Sequence, residues 1–197
     1  MRGERMARRW EFRPDKPRSG LLSKLYVTKN QRRSIGKWGL YALALLVISI
    51  LQDVIFSRLR VYGAATELVP CAIFLICIIE GAQNGSVFTL VAALGYLFSG
   101  TAPGVYAIVF IVFTGVGACI FRQAYLQKGF GAALLCTAVA MLAYELLVFA
   151  MGLFLGLTVP ARILGFLITT GLSLIAVPVL YPIVLAIGSI GGEAWKE

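Results

Sequence analysis

The strongest nucleophiles in the apolar part of this chain are Cys71, Cys77, Cys119 and Cys136, and no histidine accompanies them anywhere. None of the four forms a Cys-x-x-Cys pair, and no imidazole completes a zinc set. Buried thiols of this kind fill space as small hydrophobes. The sequence implies no metal and no cofactor. Serine has no histidine base, and neither a phosphate-cradling Gly-x-x-x-x-Gly-Lys nor a His-Glu-x-x-His is present. An intramembrane hydrolase is disfavoured on these grounds, and the expected role is not enzymatic.

Ionisable groups inside lipid are costly, so each one calls for a reason. Three matter most. Asp53 follows Gln52 near the outer end of the first segment, and Glu80 lies near the inner end of the second. Both sit close enough to an interface to predict solvated heads. Glu145 falls about mid-membrane in the fifth segment, and no Lys or Arg stands at matching depth in the sequence. An unpaired charge there predicts a neutral carboxyl or one hydrogen-bonded to Tyr, Ser or Thr. A structural hydrogen bond and a site facing a partner remain equal readings; one carboxylate makes no proton relay.

The elements that hold these groups follow from composition. The chain has 197 residues, of which 59% are hydrophobic and 14% charged, with a mean hydropathy of +0.87. Soluble domains run nearer ~45–50% apolar and ~25% charged, and a chain this short cannot bury such an excess. The fitting solvent is lipid. Apolar segments lie at roughly 39–57, 67–83, 85–100, 104–122, 130–156 and 162–190. Strict alternation is absent, so a β-barrel is disfavoured. The expected fold is all-α: a polytopic bundle of about six transmembrane helices over 39–192. The uninterrupted parts of the second and third segments, 68–79 and 87–98, would each rise only ~18 Å, well short of a ~30 Å hydrocarbon core. They either extend through the intervening turn or form a hairpin that dips in and returns; the two options leave the same parity. Pro178 and Pro182 predict a kink in the last segment.

The net charge of +9 resides in a tail: residues 1–38 carry 12 basic and 3 acidic side chains, and the remainder balances at 6 of each. Pro14, Pro17, Ser19 and Gly20 predict that residues 1–20 are largely disordered. The basic run reads as a topology signal holding the N-terminus in the cytoplasm, with docking to anionic lipid or an acidic partner as the other use. No nucleic-acid-binding motif accompanies it. Residues 39–56 read as an uncleaved signal anchor, with Gly63-Ala64-Ala65 only a weak cleavage site. With the N-terminus inside, 15 basic residues face the cytoplasm and 3 (Arg58, Arg60 and Arg162) face out. That bias predicts a membrane protein with both termini cytoplasmic, including the short end at 193–197.

Glycines recur four apart, as Gly81/Gly85, Gly100/Gly104, Gly152/Gly156 and Gly188/Gly192. Such spacing lets helix backbones meet where no hydrophobic force drives association. Gly81, Gly85, Gly95, Gly100 and Gly104 are the expected helix-packing positions. Gln52, Asp53, Glu80 and Glu145 are the expected polar or interaction positions.

The order of these residues resembles the MreD family of rod shape-determining membrane proteins. The resemblance rests on Leu51-Gln52, Gly63, Pro70, Gly81, Gly85, the run Gly95-Tyr96-Leu97-Phe98-Ser99-Gly100, and Gly104-Val105-Tyr106-Ala107. It covers about 39–190 and is strongest over 50–125. The family often carries an Asp after the second-helix proline and another closing the third helix; here those positions are Cys71 and Ser99. The resemblance implies a non-enzymatic part of the cell-elongation complex, involved in cell shape and lateral peptidoglycan synthesis. The partners it implies are MreC, the actin-like MreB filament, the RodA glycosyltransferase and a class B penicillin-binding protein. The alternative is the substrate-binding membrane subunit of an energy-coupling-factor vitamin transporter. Such subunits have similar size and typically carry an Ala-x-x-x-Ala docking pattern, which is missing here. They also need a polar ligand pocket, for which the outward loops offer Arg58, Arg60, Glu67 and Arg162.

Overall fold

A computed structural model describes residues 29–56, 58, 64–126 and 129–190. The expectations for residues 1–28, Arg60, Gly63, Lys128, Gly192 and the 193–197 end lie outside the described residues. Every regular element among those described is helical: α1 (Lys29–Leu51), α2 (Leu68–Glu80), α3 (Ala82–Phe98), α4 (Tyr106–Tyr125), α5 (Phe130–Phe154), α6 (Ile163–Leu174) and α7 (Val177–Ile190). A π-helical turn, Gln52–Phe56, continues α1, and a short 3-10 turn, Pro160–Arg162, leads into α6. Helix α1 begins inside the basic stretch, so Lys37 and Trp38 belong to the bundle rather than to the tail.

Helix α2 is the axis of the molecule. It packs against each of the other helices, and every residue from Leu68 to Ile79 is buried. Its sequence explains the placement. Leu-Val-Pro-Cys-Ala-Ile-Phe-Leu-Ile-Cys-Ile-Ile has no polar face to offer, and a helix apolar all round is stable only when surrounded.

An enclosed short helix has a second problem, its unpaired terminal backbone groups. Neighbouring side chains solve it. At the start of α2, Gln52 Oε1 accepts the Val69 N–H at 2.9 Å, and Ser173 Oγ accepts the Glu67 N–H at 2.9 Å. At its end, Arg122 Nη1 donates to the Ile78 carbonyl at 2.6 Å. The same contacts set direction. Gln52 and Lys37 meet opposite ends of α2, so α1 runs antiparallel to it.

Gly81 turns the chain from α2 into α3. Its φ of 88° lies in the left-handed region, which glycine adopts without strain. The hairpin closes so tightly that a Cβ on Gly85 would stand 2.6 Å from the Cys77 carbonyl oxygen.

Three helical stretches are long and apolar enough to cross a membrane: Arg32–Phe56, Tyr106–Tyr125 and Phe130–Phe154. Counting the bent pair α6–α7 as one span gives four. The expected six are thus met by length only in part. Helix α2, at 13 residues, rises about 20 Å and α3, at 17 residues, about 25 Å. The last segment breaks at Ile175–Ala176 with a bend of 49°. The break falls just before Pro178, whose ring crowds the carbonyl four residues back; Pro182 is accommodated within α7.

Large apolar side chains point outward all around the bundle, among them Leu43, Val47, Val91, Phe113, Val139 and Val179. Water would not tolerate so continuous an apolar exterior. Apolar helices with this exterior suit a protein associated with a membrane.

Candidate functional site

The described residues place buried charge at two ends of α2, and the two ends differ. At the Glu80 end, Lys37 Nζ lies 2.6 Å from Glu80 Oε2, with both side chains less than a tenth exposed. The Tyr41 hydroxyl donates to Glu80 Oε1 at 2.7 Å and lies 3.2 Å from the Val184 carbonyl. Trp38, Tyr41 and Phe88 pack together with tilted rings, and the Lys37 ammonium sits 5.1 Å from the Trp38 ring centre. A solvated head was expected for Glu80. The lysine that corrects this comes from a stretch read as tail. It lies one helical turn before Tyr41, so both reach the same carboxylate.

At the Glu67 end, a cavity of about 730 Å³ opens between the segment before α2, the middle of α5 and the start of α6. Glu67, Glu145, Arg162, Thr169 and Phe166 are among its walls. Glu145 is 2% exposed. Its Oε1 and the Glu67 Oε2 are buried without a hydrogen-bond partner among the described residues. The Tyr96 and Tyr144 hydroxyls are likewise buried without a hydrogen-bond partner among the described residues. Glu67 directly precedes α2. The Glu67 and Glu145 carboxyls thus each keep an oxygen without a donor among the described residues, whereas both Glu80 oxygens have one.

The sequence reading left Glu145 with no cation at its depth. In the fold, the exposed Arg162 lines the same cavity. Depth counted along one helix missed it, because the 3-10 turn before α6 brings Arg162 to the cavity. Glu67 was read only as a loop charge. The available signal was its place directly before an all-apolar helix, where the next buried residue fixes its direction. Gln52 is buried as a cap for α2, and Asp53 is exposed on the π-helical turn.

The glycines separate in the same way. Gly85 meets α2 backbone, whereas Gly95 is exposed and a Cβ there would meet no atom within 4 Å. Gly100, with φ 76°, ends α3 in a turn, and a Cβ there would also meet nothing within 4 Å. Gly104 lies in the α3–α4 connection, where a Cβ would run into the Tyr106 ring at 2.6 Å. These last two serve loop geometry, since the segment between α3 and α4 is not helical and cannot present a four-residue face. The four cysteines are buried and free.

No family model, curated protein or solved structure matches this chain. The functional reading therefore rests on the residues and their geometry.

A second opening lies on the lateral surface between α1 and α3, which touch each other only sparsely. It measures about 370 Å³ and is walled by small residues, Ala42, Ser49, Ala92, Gly95 and Ser99, among larger apolar ones.

Proposed function

We propose that this chain is a non-enzymatic membrane scaffold of the cell-elongation complex, of the MreD type, acting in cell shape and lateral peptidoglycan synthesis. The observation that carries the reading is the groove between α1 and α3. Helix association in lipid relies on small residues that let backbones approach, and Gly95 has no neighbour of its own to pack against. A lateral groove lined by such small residues suits the close approach of one transmembrane helix of a bitopic partner, for which MreC is the proposed occupant. MreB, RodA and a class B penicillin-binding protein are the further partners proposed.

In this reading the bundle crosses the bacterial inner membrane six times with both termini cytoplasmic. The short α2 and α3 then span by local thinning of the bilayer. The Glu80 end, with Lys37 and Arg122, is the cytoplasmic end, as the distribution of basic residues favours.

The test is co-purification of MreC with the tagged chain from a rod-shaped host. Wild type should retain the partner, and Gly95→Leu or Ala42→Leu, both at exposed groove positions, should lose it while melting at the wild-type temperature. Depletion should give round, swollen cells. Unchanged cell shape, or full partner retention by both groove variants, would count against the proposal.

The solute-binding reading has one observation in its favour, the cavity at the Glu67 end. Co-purification with a transporter ATPase in place of wall-synthesis proteins would support it.

A further inference from the structure

We propose that the cavity at the Glu67 end binds a zwitterion bearing a primary ammonium, with the ammonium on the Glu67 and Glu145 carboxyls and the anionic group on Arg162. The chemistry of the walls selects this class. Glu145 is buried and its Oε1 lacks a donor, as does Glu67 Oε2; an ammonium supplies three N–H donors to acceptors of this kind. Arg162 is exposed and lines the same cavity, so the acids form its interior and the guanidinium its rim.

Other ligand classes fit less well. A bare divalent cation takes six or more oxygens, and this cavity offers two carboxyls, one threonine hydroxyl and a guanidinium that repels it. An anion alone would face two acids. A quaternary ammonium has no N–H to give, and the walls hold Phe166 but no aromatic cage. A purely apolar ligand would leave both carboxyl oxygens as they are. The volume, about 730 Å³, falls within the range of small-molecule sites. Phosphoethanolamine as a lipid headgroup and a free amino acid share the required chemistry. The site stands apart from the α1–α3 groove, so it neither depends on the scaffold reading nor fails with it.

The experiment uses the full purified chain in detergent. Native mass spectrometry compares retention of phosphatidylethanolamine and phosphatidylcholine with matched acyl chains, and calorimetry titrates the chain with alanine. The expected result is at least about tenfold preference for phosphatidylethanolamine, falling below about threefold in both Glu145→Gln and Arg162→Gln. Saturable alanine binding without a lipid preference, lost in the same variants, supports the ligand class and assigns a soluble source. Equal retention of both lipids together with no alanine binding overturns the proposal. So does binding that both variants keep. Arg162 is exposed, so its replacement leaves the fold intact and keeps the test decisive if Glu145→Gln fails to fold.

Discussion

At the Glu80 end a carboxylate is buried against a lysine and a tyrosine; at the Glu67 end two carboxyls are buried against a cavity. Both ends face the same physical demand, since charge in a low-dielectric interior must be compensated. The Glu80 end meets it within the chain. Its aromatic residues exclude water, and Gly188 admits the Tyr41 hydroxyl closely, a Cβ there standing only 3.1 Å from it. The Glu67 end leaves several acceptors and hydroxyls unmatched. A fold that pairs both oxygens of the Glu80 carboxylate and leaves the Glu67 and Glu145 carboxyls each with an unmatched oxygen has separated structure from recognition along a single helix.

The largest effect should come from breaking the closed end. Lys37→Ala strands the Glu80 carboxylate and should destabilise the chain by about 3–5 kcal/mol, as for other buried pairs that lose one partner. The double replacement Lys37→Met with Glu80→Gln should recover most of that loss. Thermal melts of the purified chain in detergent check both. A single variant that melts like wild type would mean that the pair is hydrated and that the two ends do not differ.

The hairpin comes next. Gly85→Ala places a methyl 2.6 Å from the Cys77 carbonyl, a backbone atom that cannot rotate away. Overpacking of this kind costs about 1–3 kcal/mol, again read as a fall in melting temperature.

How much of this was legible in the sequence depends on whether a feature lies along one segment or between segments. The apolar stretches, the tight turn at Gly81 and the break before Pro178 are local, and the hydropathy and residue types announce them. The central position of α2 was implicit in its lack of any polar face, although its short length drew attention to whether it spans. The Lys37–Glu80 pair joins residues 43 apart, and one of them looked like tail. Glu67 and Glu145 meet because α5 passes the start of α2, and Arg162 joins them by way of a turn. Spacing along the chain carries no trace of such meetings.

The smallest expected effect separates the two kinds of glycine. Gly95→Ala adds a methyl that meets nothing within 4 Å, on a helix where alanine is the better former by about 0.5–1 kcal/mol. The free chain should therefore melt at the wild-type temperature or slightly above it. If the groove takes a partner helix, the same methyl should weaken association, and the larger Gly95→Leu should abolish it. Stability and association then move in opposite directions at one position. At Gly85 no such split is expected, because its neighbour is already present in the chain. Equal partner retention by wild type, Gly95→Ala and Gly95→Leu would show that this face meets only lipid. The contrast between a closed and an open half would then rest on the carboxyl cavity alone.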